Sequence, residues 1–359
     1  MREGYSSNKY IVTYIVLGVS VVLLFIANLA YGAVSIPMGK VVEILFSPQS
    51  PYSSQYLAWS RIVMDFRLPQ AVTALLCGAS LASSGLLLQT LFRNPLAGPS
   101  ILGISDGANL GVAIVMLYLG GSISINGGPG SDSILTLSGY AAVVFAALVG
   151  ALAILGIIIY MSGRIRNNVM LLIVGIMIGY LASSVISMLN FYASADKVHS
   201  FVMWGMGNFS GVSMQKLPYF AIFSIVGLVG VVLLIKPLNA LLLGENYAAN
   251  LGVRIKPMRI AILLITGILT ASATAFCGPV SFIGLAVPHI ARFILGTSNH
   301  RQLVPVTILS GSAVALLCNM LTVFPGNSYV LPLNAVTPFI GAPVIIYVIL
   351  SKKNVQYFN

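Results

Sequence analysis

The chain has 359 residues, 58% of them apolar and only 7% charged, with a formal net charge of +11. So few charges exclude a soluble globular protein, in which about a quarter of residues are charged. Three histidines and seven acids, scattered along the chain, leave no catalytic cluster and no metal site, which sets a membrane enzyme aside.

Apolar runs long enough to cross a bilayer, which takes about 20 residues, recur throughout. A membrane barrel would show short alternating segments instead. Ten spans are expected, at 10–31, 68–92, 99–119, 134–161, 168–194, 217–235, 258–277, 280–295, 304–323 and 331–350. The expected fold is therefore all-α: a polytopic integral membrane protein whose residues 1–359 form one transmembrane domain. The first span is too long for the apolar core of a signal peptide and is read as a mature helix.

Ahead of the second span stands Arg67-Leu68-Pro69-Gln70, and within it Gly78, Ala79, Ser80, Ala82, Ser83, Ser84 and Gly85 form a face almost free of side chains. Such faces let membrane helices approach closely. Asn94-Pro95 then forces the chain out of the helix. The third span carries Gly103, Gly107 and Gly111 in a doubled G-x-x-x-G, and also Asp106, read either as a proton-coupling group or as a helix–helix hydrogen-bonding one. Residues 196–216 are too polar to span. Their Phe201, Met203, Trp204, Met206 and Phe209 predict a short amphipathic helix at the outer interface.

Two long uncharged stretches are broken by turn residues, Cys277-Gly278-Pro279 and Pro325-Gly326-Asn327-Ser328. Each becomes a helix pair whose second member is either spanning or re-entrant. His289, in the first of these, reads either as a metal or proton site or as a histidine bonded to backbone.

With the N-terminus inside, thirteen basic residues fall on the inner side and five on the outer: Lys40, Arg61, Arg67, Lys197 and Lys216. This bias places both termini in the cytoplasm, so the basicity orients the chain and is not a nucleic-acid footprint. The three cysteines all sit in apolar spans and read as small hydrophobes. No cofactor is implied.

The same orientation puts residues 243–254, LGENYAANLGVR, on the ATP side. This polar island between apolar runs is either an ordinary helical loop or a docking segment. Its Gly244, Ala248, Ala249 and Gly252 would let a helix seat closely against a partner.

Together, the strings RLPQ, NPLAGPSILGISDGA, GENYAANLGV, GPVSFIGLAVPHIAR and LPLNAVTPFIGAP resemble the FecCD, or vitamin-B12-importer, family of permeases, across positions 10 to 350. The resemblance implies a type II importer permease of the bacterial inner membrane that pairs with a second copy of itself around a central path. Two cytoplasmic ATP-binding subunits would dock below, and a periplasmic or lipid-anchored binding protein would deliver substrate above. The chain itself has no phosphate-binding G-x-x-x-x-G-K-[ST] loop. The substrate implied is a bulky metal chelate, with iron–siderophore first and cobalamin and haem close behind.

Residue by residue, the resemblance assigns ATPase coupling to Gly244, Glu245, Ala248, Leu251, Gly252 and Arg254. It assigns binding-protein docking to Arg61 and Arg67, and the gate and path to Asn94, Leu96, Asn168 and Trp204. It also exposes departures, since Gln70, Asn319, Val323 and Val330 stand where the family usually carries charge. A weakened ionic docking face is expected from these. The competing reading is an ion-coupled secondary transporter of a small hydrophilic solute, which would need buried acids, and only Asp106 qualifies.

Overall fold

A computed structural model describes residues 2–46, 54–120, 122–126, 133–165, 167–323 and 330–350. Helix α1 (Arg2–Ala30) is followed by the short α2 (Met38–Phe46) and α3 (Ser54–Arg61). A π-helical turn, Ile62–Arg67, runs directly into α4 (Leu68–Phe92), with Pro69 in the first turn, where its missing N–H leaves nothing unsatisfied. A 3-10 turn at Pro99–Leu102 leads into α5 (Ile104–Ala113), which a π turn prolongs to Tyr118.

An antiparallel hairpin follows, β1 (Ser122–Asn126) and β2 (Ser133–Ser138). The span expected from 134 therefore begins five residues later, as α6 (Gly139–Arg164). The alternating Ser133-Ile134-Leu135-Thr136-Leu137-Ser138 is short enough to pair as a strand, and its apolar content alone made it look like helix.

Then come α7 (Asn168–Tyr192), α8 (Ala195–Gly205) and α9 (Leu217–Leu233). Next are α10 (Ile235–Leu242), α11 (Glu245–Asn250) and α12 (Ile255–Cys277). The chain closes with α13 (Ile283–Leu295), α14 (His300–Leu321) and α15 (Leu333–Leu350). Among the described residues, six helices are long and apolar enough to cross a membrane, and α9 with α10 forms a seventh candidate bent by 53°. Three expected spans are shorter apolar helices, at 104–118, 283–295 and 333–347. The expected turn at 325–328 lies outside the described residues.

α4 is the axis of the bundle. Residues 77–92 are buried without a break, and α4 packs against α9, α12, α13 and α14. The small-residue face explains how. A Cβ at Gly78 would strike the Gly311 carbonyl on α14, and one at Gly85 would strike the Gly284 carbonyl on α13. Gly107 and Gly111 on α5 meet Gly150 and Ala146 on α6 in the same way. Packing of this closeness holds helices together where lipid removes the hydrophobic driving force between them.

Candidate functional site: a coupling end and a mouth end

The expected functional residues fall at two ends of the bundle. The N-terminus of α12 marks one and its C-terminus the other, about 34 Å away at 1.5 Å per residue.

At the first end, α4 closes on Arg93, which adopts the left-handed conformation (φ 46°) while its N–H caps the helix. The side-chain carbonyl of Asn94 accepts the Leu96 N–H (2.9 Å), so Asn94 builds the turn that leaves Leu96 exposed. From α13, His289 Nε2 donates to the Pro95 carbonyl (2.8 Å), which gives this histidine a backbone partner. Arg292 donates to Gln89 Oε1, and Gln89 in turn donates to the Leu285 carbonyl (3.2 Å), locking α13 against the end of α4.

Residues 243–254 lie against this loop. Gly244 (φ 106°) and Gly252 (φ 87°) bracket α11 in conformations that L side chains rarely adopt. Their backbone therefore explains these glycines at least as well as the close seating expected from the sequence. Ala248 needs a second correction: it is fully buried inside the chain, so its small size serves internal packing and not an outside partner. The outward face consists of Leu243, Tyr247 and Leu251, which are 56%, 53% and 60% exposed. Only Leu251 of these was singled out from the sequence, although spacing of four residues within a polar island was the available signal. Arg254 is exposed and opens α12.

Glu245 joins these parts. Its carboxylate accepts from Arg259 Nη2 at 2.9 Å and from Asn168 Nδ2 at 3.1 Å. Asn168, the first residue of α7, also donates to the Leu91 carbonyl of α4 (3.0 Å). Arg259 reaches from α12 to the Ile165 carbonyl at the end of α6 (3.1 Å). Arg93, Asn168 and residues Leu243–Tyr247 line a polar cavity of about 630 Å³ beside this cluster. Of the expected gate residues, Asn168 is thus brought together with the expected coupling residue Glu245, while Asn94 and Leu96 stand in the loop just after Arg93, which lines the same cavity. Arg259 and Arg93 were counted from the sequence only as topogenic charges.

Trp204 is not part of that group. It stacks on Phe201 (centroids 6.4 Å apart, 24°) in α8, at the other end. There Asn334 is the hub: its Nδ2 donates to the Pro279 carbonyl (2.7 Å) and the Gly205 carbonyl (3.2 Å), and its Oδ1 accepts the Ser281 N–H (2.9 Å). The α8 terminus, the break after α12 and the start of α15 are fastened by one carboxamide. Lys216 sits 3.6 Å from the ring centroid of Tyr140, and Lys197 donates to the Leu117 carbonyl (3.3 Å).

Arg67, expected as an exposed docking cation, is only 8% exposed. Its guanidinium donates to the carbonyls of Leu29 (2.9 Å), Ala30 (2.8 Å) and Val34, stapling the end of α1 and the segment after it. The π-helical turn carries the chain from exposed Arg61 to buried Arg67, so two arginines six residues apart face different surroundings. Gln70 is likewise half-buried. It donates to Asn319 Oδ1 (2.9 Å), Asn319 donates to Asn28 Oδ1 (2.7 Å), and Asn28 donates to the Leu316 carbonyl (3.1 Å). Val323 and Val330 pair as an antiparallel bridge closing α14 onto α15. Asp106 faces Gly179 of α7 and makes no ion pair among the described residues.

A helical membrane bundle with close glycine contacts, a buried axis and a polar helical segment hung at one end is the architecture of a transport permease. The FecCD transport family model matches residues 20–351, and the chain belongs to that family. The vitamin B12 import system permease protein BtuC of Citrobacter koseri is 34% identical over 296 residues, covering 81% of this chain and 83% of that protein. The protein of the same name from Klebsiella pneumoniae is also 34% identical, over 292 residues, with the same two coverages. A solved chain in an inward-facing conformation, assigned to the metal-chelate type of ABC transporter, superposes with a TM-score of 0.78 at 26% identity, covering 94% of this chain and 98% of that one. The protein is an ABC importer permease of this family, and its apolar helices are those of a multi-pass membrane protein.

Proposed function

We propose that the protein is the membrane path of an ATP-driven importer for a bulky metal chelate in the bacterial inner membrane. In this reading it works as a pair of copies, with two ATP-binding subunits against residues 243–254 and a binding protein over the α8 end. Both termini lie in the cytoplasm, as the distribution of basic residues favours. The observation that carries the reading is the position of α11: Leu243, Tyr247 and Leu251 in and beside it are exposed, while its Glu245 is bonded to Asn168, expected at the inner gate, and to Arg259. Exposed Arg61 remains the docking cation, whereas Arg67 acts by holding the surface in shape.

Sequence resemblance placed iron–siderophore first among substrates. The relatives named above are vitamin B12 permeases, which moves cobalamin ahead as the chelate to test. Proteoliposomes holding the permease with its own ATP-binding subunit and binding protein should take up radiolabelled cobalamin on addition of ATP. Uptake of a labelled ferric siderophore in its place would reverse that order. Uptake by the permease alone, driven by a proton or sodium gradient, would overturn the importer reading.

A further inference from the structure

We propose that Glu245 is the positioning residue that transmits movement of the coupling segment to the inner gate, as a carboxylate latch between α11 and the first residue of α7. The inference rests on the reading of 243–254 as the coupling segment and adds the route by which its motion leaves it.

The argument starts from how α11 is held. On its N-terminal side, α10 is anchored: Asn239 donates to Asn299 Oδ1 (2.9 Å) and accepts the His300 N–H (2.7 Å), and the His300 ring lies 2.8 Å from Thr90 Oγ1 inside the bundle. On its C-terminal side, α12 is buried along most of its length. Between these fixed parts, α11 hangs on two glycines with positive φ, Gly244 and Gly252, the kind of position that absorbs a large dihedral change. Ala248 touches the core with one methyl group. Among the described residues, Glu245 ties α11 to the rest of the bundle through Asn168 and Arg259.

Those ties go where a gate would need them. Through Asn168, Glu245 reaches the start of α7 and the Leu91 carbonyl, two residues before the Arg93 turn. Through Arg259 it reaches the last turn of α6. A carboxylate sharing one oxygen between a guanidinium and a carboxamide is strongly held while in place. A swing of α11 about its glycines would draw Oε1 off Asn168 and leave its bond to the Leu91 carbonyl as the one remaining tie of that carboxamide between α7 and α4. With the carboxylate in place the inner end stays closed, and with it withdrawn the inner end opens.

The test uses the full complex of permease, ATP-binding subunit and binding protein in proteoliposomes, with chelate transported per ATP hydrolysed as the readout. Glu245→Gln should lower that ratio about tenfold, and Asn168→Ala, which removes the carboxamide from the other side of the contact, should lower it as well. A ratio within about twofold of the unaltered protein in Glu245→Gln overturns the latch. Should these variants fail to assemble, spin labels at Ala249→Cys and Val169→Cys, both at exposed positions, read the same motion with Glu245 intact. The label distance should shift when ATP binds, and an unchanged distance overturns the proposal. Gly252→Trp separates the two levels. If it uncouples transport while Glu245→Gln does not, only the latch falls. If it too leaves the ratio unchanged, the coupling reading of 243–254 falls with it.

Discussion

The two ends of the bundle are fastened by different chemistry. At the Glu245 end a single carboxylate serves a guanidinium and a carboxamide, next to two glycines of positive φ and the exposed Leu243, Tyr247 and Leu251. At the Asn334 end neutral amides hold three chain segments through several directional bonds each, and the Gln70–Asn319–Asn28 chain adds a second such knot. Neutral hubs with many bonds make a rigid frame, since breaking one leaves several buried groups unsatisfied. One charged contact between hinges is easier to make and release. The difference teaches where motion is built in and where it is resisted.

Damage at the rigid end should therefore appear as lost stability, and damage at the hinged end as lost coupling. The largest effect is expected from Arg67→Ala, which removes a charged donor from three backbone carbonyls and should destabilise the purified permease by roughly 3 kcal/mol in thermal unfolding. Unaltered stability with weaker binding-protein affinity would restore the docking role expected from the sequence. Asn334→Ala should cost about 2–3 kcal/mol by the same measurement, and a loss below about 0.5 kcal/mol would mean that the hub is not a frame.

Gln70→Arg or Asn319→Asp alone should each cost about 2 kcal/mol by leaving an uncompensated charge among amides. Together they should recover at least about 1 kcal/mol of the summed loss, and additive losses would show that the two side chains do not meet. Leu251→Glu should lower transport about tenfold with little change in unfolding temperature, because Leu251 is 60% exposed on the coupling segment and is not part of the buried core. Equal loss of stability and transport would erase the contrast between the ends. The smallest effect belongs to Arg61→Glu, an exposed side chain worth about 1 kcal/mol or less to binding-protein affinity, measured by equilibrium binding.

The helices were readable from sequence because lipid demands solid apolar runs, and the glycine face of α4 because close contact between helices demands small residues at helical spacing. The end of α4 was readable because Asn94-Pro95 cannot continue a helix, whereas the gate role expected there came from the resemblance alone. What escaped depends on direction and on distant partners. Nothing near Arg67 in the sequence says that a π-helical turn rotates it inward, away from the face that Arg61 keeps. Nothing near Gln70 announces Asn319, 249 residues on. The start of α6 was misplaced because Ile134, Leu135 and Leu137 are equally apolar in a strand and in a helix. Glu245 was singled out as a coupling residue, but its bonds to Asn168 and Arg259 required three helix ends to be placed in space.

The position of α1 bears on how the protein is made. Its outer side is open to lipid, and it joins the bundle largely through α14, where Asn28 bonds to Leu316 and Tyr14 approaches Gln302, each 288 residues later in the chain. At about 5–20 residues per second, a ribosome needs roughly 15 to 60 seconds to supply that partner after α1 has emerged. During that interval the first helix waits with its contacts to α2, the π-helical turn and α4, where Arg67 bonds to the carbonyls at its end. A chain that stops before residue 300 leaves the Asn28 carboxamide with the Leu24 carbonyl of its own helix and without its partners Leu316 and Asn319.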